Sequence, residues 1–159
     1  MNITLTTDAS YSYKHKVGSY AFYITCNLGR MSKSGALKKE CACPSEAEMK
    51  CIINALTFIS ECPDLFSKCK DVFVNTDSMN AIHVFEDSKV NIKKYRLKKY
   101  LYLQARYNKV KSIFGDRRID FRHVKAHSGK DDKRSWVNEF CDKAAKEQLH
   151  LLIDKLEKK

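Results

Sequence analysis

Glycine and proline are scarce in this chain, five and two among 159 residues. That excludes a collagen-like repeat or a Gly/Pro-rich tether and leaves few places where a regular element must break. Long apolar runs are missing too: no stretch approaches the roughly 18 residues that a spanning helix requires, so no membrane partner is expected. The seven cysteines, at positions 26, 41, 43, 51, 62, 69 and 141, are odd in number and include no C-x-x-C pair. This argues against a disulfide framework, a disulfide-linked partner or a zinc site, since Cys41 and Cys43 have no histidine close by in sequence. Free thiols in a reducing cytoplasm fit better. The opening Met-Asn-Ile-Thr lacks the basic and apolar stretches of a secretory leader. Acid is also in short supply: 19 Asp and Glu face 30 Lys and Arg, for a formal net charge of +11 and a pI near 9.3.

A chain this basic most often meets a polyanion, chiefly nucleic acid or an anionic membrane surface. The excess is local: from Lys89 to Arg134 there are sixteen Lys or Arg against four Asp or Glu, so one face or protruding element carries the field. With 43% hydrophobic and 31% charged residues and no low-complexity tract, residues 1–159 read as one globular domain.

Residues 2 to 8 alternate as a strand ending at Asp8-Ala9-Ser10, and residues 18 to 27 turn over at Asn27-Leu-Gly29 into a hairpin partner over 30 to 39. Ser45-Glu-Ala-Glu48 has the form of a capping box, and Cys51, Ile52, Ala55, Leu56 and Ile59 then repeat at helical spacing up to Pro63. Residues 71 to 76 suit a buried strand, 78 to 85 a short helix and 92 to 113 a Lys- and Tyr-rich helix. Residues 118 to 124 suit a further strand and 134 to 156 a last helix. Strand-helix-strand units after a meander predict an α/β fold, in which a right-handed crossover brings the strand ending at Thr76 beside the first. Asp8 and Asp77 then become neighbours at the carboxyl ends of adjacent strands, where α/β sheets place their sites.

Four acids are candidates for chemistry. Glu48 lies on the apolar stripe of its helix, and two roles are open to it: back-bonding to the Ser45 amide as a cap, or pointing at the sheet in need of a cation, a donor or a proton. Asp8 and Asp77 follow strands, a place that turn-forming aspartates also favour. Asn138 and Asp142 share a helix face at i and i+4 spacing, beyond a loop containing His127. Carboxylates gathered at one corner repel one another unless divalent cations sit among them, and all-oxygen ligands select Mg²⁺ or Mn²⁺ over zinc.

Thr6-Thr7-Asp8-Ala9-Ser10, Glu48-Met-Lys-Cys-Ile-Ile-Asn-Ala-Leu56, Asn75-Thr76-Asp77-Ser78, and His123-Val-Lys-Ala-His127-Ser-Gly129 through Asn138-Glu-Phe-Cys-Asp142 resemble the successive motifs of type 1 ribonuclease H, in order and over about residues 2 to 148. The resemblance implies an RNase H-like fold, a five-stranded mixed sheet in the order 3-2-1-4-5 with flanking helices. It implies a magnesium-dependent endonuclease that hydrolyses the RNA strand of an RNA/DNA hybrid with two Mg²⁺ ions, Mn²⁺ being an alternative. Asp8, Glu48, Asp77 and Asp142 would be the catalytic, metal-binding acids, and His127 would assist proton transfer or product release. Ser10, Ser45 and Asn138 stand where 2′-hydroxyls would be read, and Lys93, Lys94, Arg96, Lys98 and Lys99 where a basic protrusion would grip DNA phosphates. The chain departs from the family pattern at Ala9, Pro44-Ser45 and Met79, and it carries no separate hybrid-binding domain. Two other readings share the fold: a nuclease or resolvase acting on structured DNA, and a non-catalytic nucleic-acid-binding module. A monomer is expected.

Overall fold

A computed structural model describes residues 1–86, 100–124 and 133–158. Its sheet has five strands in the order β3-β2-β1-β4-β5, formed by β1 (Asn2–Ser12), β2 (Val17–Cys26), β3 (Gly29–Ala36), β4 (Asp71–Thr76) and β5 (Arg118–His123). The described helices are α1 (Pro44–Glu61), α2 (Pro63–Lys68), α3 (Met79–Glu86), α4 (Leu101–Phe114) and α5 (Lys133–Glu157). β1 and β2 pair antiparallel, as do β2 and β3, whereas β4 runs parallel to both β1 and β5.

β1 runs four residues beyond the end that its alternation suggests, and the reason is tertiary. Its pairing with β2 continues through Asp8 opposite Ala21 to Ser12 opposite Val17, while its pairing with β4 ends at Thr6 opposite Asn75. Beyond Thr6 the strand therefore has a neighbour on one side only. The sheet forks there, and Asp8 stands at the open side of the fork. The β1–β2 turn closes with Lys16 N–H donating to Ser12 O at 2.8 Å, Lys16 itself lying at φ 55°.

α1 is buried almost all round: Met49, Ile52, Ala55, Leu56 and Ile59 join Ile3, Leu5, Val72 and Val74 from the sheet in the main core. The capping box expected at its start does not form. Proline at N1 and Cys43 at the N-cap begin the helix two residues earlier, without a side-chain cap bond from Cys43. The acid that reaches back is instead Glu46, whose Oε2 accepts from Ala42 N–H at 2.5 Å, which leaves Glu48 to point elsewhere.

The opposite sheet face is thinly covered. Ala21 and Tyr23 meet Cys141 and Ala145 of α5 in a small second cluster, with Val137 and Ala144 at its edge. Small side chains on both sides let α5 lie close against β1 and β2, which holds Asp142 near the fork. Of the residues 92 to 113 expected as one helix, α4 accounts for the part from Leu101, and 92 to 99 lie outside the described residues. Leu103, Tyr107, Val110 and Phe114 form its buried stripe. The Tyr107 ring stacks on Phe85 with centroids 4.3 Å apart and lies 5.7 Å from Phe121. Tyr107→Ala is expected to cost about 3–5 kcal/mol, as for other large aromatic truncations in a packed core, and urea unfolding followed by circular dichroism would measure it.

Candidate active site

Three elements bring acid to the fork. Asp8 shares its sheet face with Ala21, directly opposite on β2, and so faces α5. Asp77 follows β4 immediately, where Ser78 N–H donates to Thr76 Oγ1 at 3.1 Å and Ser78 Oγ accepts from Ala81 N–H at 3.2 Å to start α3. Glu48 projects from the first turns of α1. Its Oε1 accepts from Ala9 N–H at 3.0 Å, an amide that Asp8 Oδ1 also meets at 2.9 Å. The ligand atoms of Asp8, Glu48 and Asp77 all lie within 4.8 Å of one another.

The electrostatics of this cluster are unfavourable to three free carboxylates. Burial, with the nearby Asp77 charge, pushes the Asp8 carboxyl up to about 7, against the lowering effect of hydrogen bonds from Glu48 and Ala9. Burial and then the Asp8 and Asp77 charges push Glu48 well above the usual carboxylate range. Asp8 and Glu48 titrate as a pair, their mutual hydrogen bond lowering Asp8 and raising Glu48. The other oxygen of Glu48, Oε2, is buried and has no hydrogen-bond partner among the described residues. An orphaned carboxylate oxygen between two further acids is a chemical fit for a hard divalent cation, which would satisfy the oxygen and cancel the repulsion.

Asp142 is close enough for its charge to raise Asp8, yet it is not part of the three-residue cluster. Its Oδ2 accepts from Lys146 Nζ at 3.0 Å, one turn along α5. Asn138 sits half-buried on the same helix, and Ser10 lies half-buried on β1 opposite Ser19. Ser45 Oγ accepts from Asn80 Nδ2 at 2.8 Å, which ties the start of α1 to α3 beside Asp77. Asn80 had no distinguishing signal in the sequence, being one polar residue of a short helix. His127 and the cluster Lys93, Lys94, Arg96, Lys98 and Lys99 lie outside the described residues.

Two thiols line the back of the site. Cys51 Sγ donates to Asp8 O at 3.3 Å and Cys141 Sγ to Thr6 O at 3.6 Å. Burial raises both, Cys141 to about 12, and the neighbouring acids add to the shift. They are neutral packing groups that satisfy strand carbonyls at the fork. All seven cysteines are free, and no described helix is long and apolar enough to cross a membrane.

A mixed sheet in the order 3-2-1-4-5, with acids from β1, α1 and the end of β4 meeting at its fork, defines the ribonuclease H-like class of nucleic-acid-processing folds. The RNase H family model matches residues 1–150, and the chain belongs to that family, whose members are ribonuclease H enzymes. No curated protein sequence matches it. Among solved structures it is similar to the N-terminal RNase H domain of a Mycobacterium tuberculosis protein fused to maltose-binding protein, with a TM-score of 0.71 and 14% identity over 98% of each chain. It is also similar to RNase H1 of the halophilic archaeon Halobacterium salinarum, with a TM-score of 0.66 and 15% identity over 94% of this chain and 98% of that one. A third is an RNase H1 isolated from compost by a metagenomic approach, with a TM-score of 0.62 and 19% identity over 93% and 98%. At such identities the structures speak for the fold, and the family match carries the enzyme class.

Proposed function

We propose that the chain is an endoribonuclease that hydrolyses the RNA strand of RNA/DNA hybrids, with Mg²⁺, or Mn²⁺ in its place, held by Asp8, Glu48, Asp77 and Asp142. The observation that carries this reading is the gathering of three carboxylates within 4.8 Å, one with an unpartnered buried oxygen. Two divalent ions about 3.5–4 Å apart would, when bound, activate the attacking water and stabilise the leaving 3′ oxygen. Asp142 joins the set by exchanging Lys146 for a cation. This exchange costs little, because the ion pair is between partly exposed side chains.

Other residues serve recognition and proton handling in this reading. Ser10, Ser45 and Asn138 stand around the fork as short polar groups suited to 2′-hydroxyls in a shallow minor groove, with Asn80 fixing the Ser45 hydroxyl. His127 supplies a proton or helps the 5′-phosphate product leave, and Lys93, Lys94, Arg96, Lys98 and Lys99 hold phosphates of the DNA strand. Residues 1–159 work as one domain and as a monomer, in the reducing cytoplasm that the free thiols suit.

Parallel digestion of a labelled RNA/DNA hybrid, duplex RNA, duplex DNA and branched DNA, with Mg²⁺ and with EDTA, tests the proposal. Cleavage should be confined to the RNA of the hybrid, should leave 3′-hydroxyl ends and should stop in EDTA. Faster cleavage of branched DNA would instead identify a resolvase-like enzyme. No cleavage of any substrate would identify a binding module.

A further inference from the structure

A groove of about 720 Å³ lies on the face of the sheet away from α5, between β3, the outer side of α1 and the start of α4. Its size is that of a small-ligand site. Tyr20, Phe22 and Phe58 form an aromatic floor, with Phe22 and Phe58 centroids 5.5 Å apart. Lys33, Lys38, Lys39, Lys50 and Arg106 line it, against Glu40, Glu46 and Glu61.

Bases outnumber acids by two, and one acid and one base are already engaged with each other. Lys50, buried, pairs with Glu46 at 3.3 Å and donates to Glu40 O at 3.1 Å. Burial would push the Glu46 carboxyl up, but the Tyr102 hydroxyl, the Ala42 amide and the Lys50 ammonium together hold it below its usual range. What remains is a set of four cations, Lys33, Lys38, Lys39 and Arg106, all exposed, facing Glu40 and Glu61. Lys33 already lies over the Phe58 ring, 5.3 Å from its centroid. Phe22 is buried, whereas Tyr20 and Phe58 are half-buried and leave part of their rings to the groove, so the cations would take the phosphates of a nucleic-acid strand and the rings would flank its sugars or bases.

We propose that this groove is a second nucleic-acid contact, taking a phosphodiester strand of the substrate where it leaves the acidic site. The proposal rests on the reading of the chain as a nucleic-acid enzyme and extends the substrate's track along α1. Glu46 at the groove and Glu48 at the site both belong to the start of α1 but point to different sides of it, so the strand would round the start of that helix in passing from one to the other. The groove's described cations come from β3, the β3–α1 connection and α4.

The test is binding of a fluorescein-labelled 20-base-pair RNA/DNA hybrid, followed by anisotropy in EDTA over a salt series. It compares the wild-type chain with two charge-reversed variants: Lys33→Glu with Arg106→Glu in the groove, and Lys109→Glu with Lys111→Glu on the exposed side of α4. Both alter the net charge equally, and circular dichroism checks that both fold. The groove variant should bind about tenfold or more weakly and lose roughly two units of salt slope, as expected for two lost phosphate contacts, whereas the α4 variant should change less than about twofold, as screening of charges beyond the contact leaves. Equal losses in the two variants would show only the general field of a basic protein and would overturn the proposal, as would unchanged binding by the groove variant. Mg²⁺-dependent cleavage by the wild-type chain reads the catalytic proposal separately: binding lost in the groove variant without any wild-type cleavage would sink the catalytic reading and leave the groove standing.

Discussion

Asp8→Asn should lower the rate of hybrid cleavage by about 10³-fold or more, equivalent to roughly 4 kcal/mol of transition-state stabilisation, and at the same time make the metal-free protein more stable above neutral pH. The first effect follows from removing a charged oxygen from the one place where three acids meet. The second follows from the cost of that meeting. Burial holds the Asp8 carboxyl at about 7 in the folded chain, against 3.8 as its ordinary value. The folded state therefore binds more protons than the unfolded state between about pH 4 and 7, and stability falls as pH rises through that window. Above it the full penalty is present, shared with Glu48 because the two titrate as a pair. An asparagine carries no charge to desolvate, so the variant should gain about 1–4 kcal/mol at pH 8 in EDTA. Urea denaturation at pH 5 and pH 8, beside a single-turnover cleavage assay, measures both. A variant that cleaves at wild-type rate would sink the site; one that loses activity and stability together would mean that Asp8 is structural.

Mg²⁺ should stabilise the wild-type chain strongly at pH 8 and weakly at pH 5.5. The cation needs deprotonated ligands, and below about 7 the raised carboxyls of Asp8 and Glu48 hold protons that compete with it. At a concentration 100 times its dissociation constant a ligand adds about 2.7 kcal/mol, a shift of several degrees in Tm for a domain of this size. Thermal unfolding with 10 mM MgCl₂ or with EDTA at the two pH values would show it. Equal shifts at both pH values would mean that the ion binds outside the carboxylate cluster. Asp8→Asn should remove most of the pH 8 shift, which links the two expectations through one residue.

Several elements could be read locally because their signals are local. β4 occupies Asp71–Thr76, the bounds its apolar run suggests, since a strand buried on both faces is apolar throughout and is punctuated by polar neighbours. α5 begins one residue before the expected start and ends one after the expected end, because a long helix with an apolar stripe leaves little room for another period. The position of Asp8 at the end of an alternating run was visible too, but not that its strand continues to Ser12. That extension depends on β2 remaining as a partner after β4 has ended.

The role of Glu48 illustrates the limit of local pattern. Ser45 and Glu48 have capping-box spacing, and the box fails because Pro44 starts the helix two residues early and Glu46 takes the back-bonding place. Nothing in the spacing of residues 43 to 48 records this, since the deciding partner of Glu48 is the Ala9 amide, 39 residues away. The same is true of Asp142, whose helix face the i and i+4 spacing gives, but whose pairing with Lys146 depends on rotamers settled by the surroundings.

The sequence by itself determined the order of strands and helices, the basic character that calls for a polyanionic partner, and the four acids that match the RNase H motifs. These are set by side-chain periodicity, charge and residue type, all of which act over a few neighbours. Only the tertiary structure decided that Asp8, Glu48 and Asp77 lie within 4.8 Å with Asp142 turned aside to Lys146, and that aromatic and basic residues from β2, β3, α1 and α4 line one groove. Distances between carboxylates on different elements depend on strand register and helix packing, and these come from contacts across the whole chain that no short window of sequence contains.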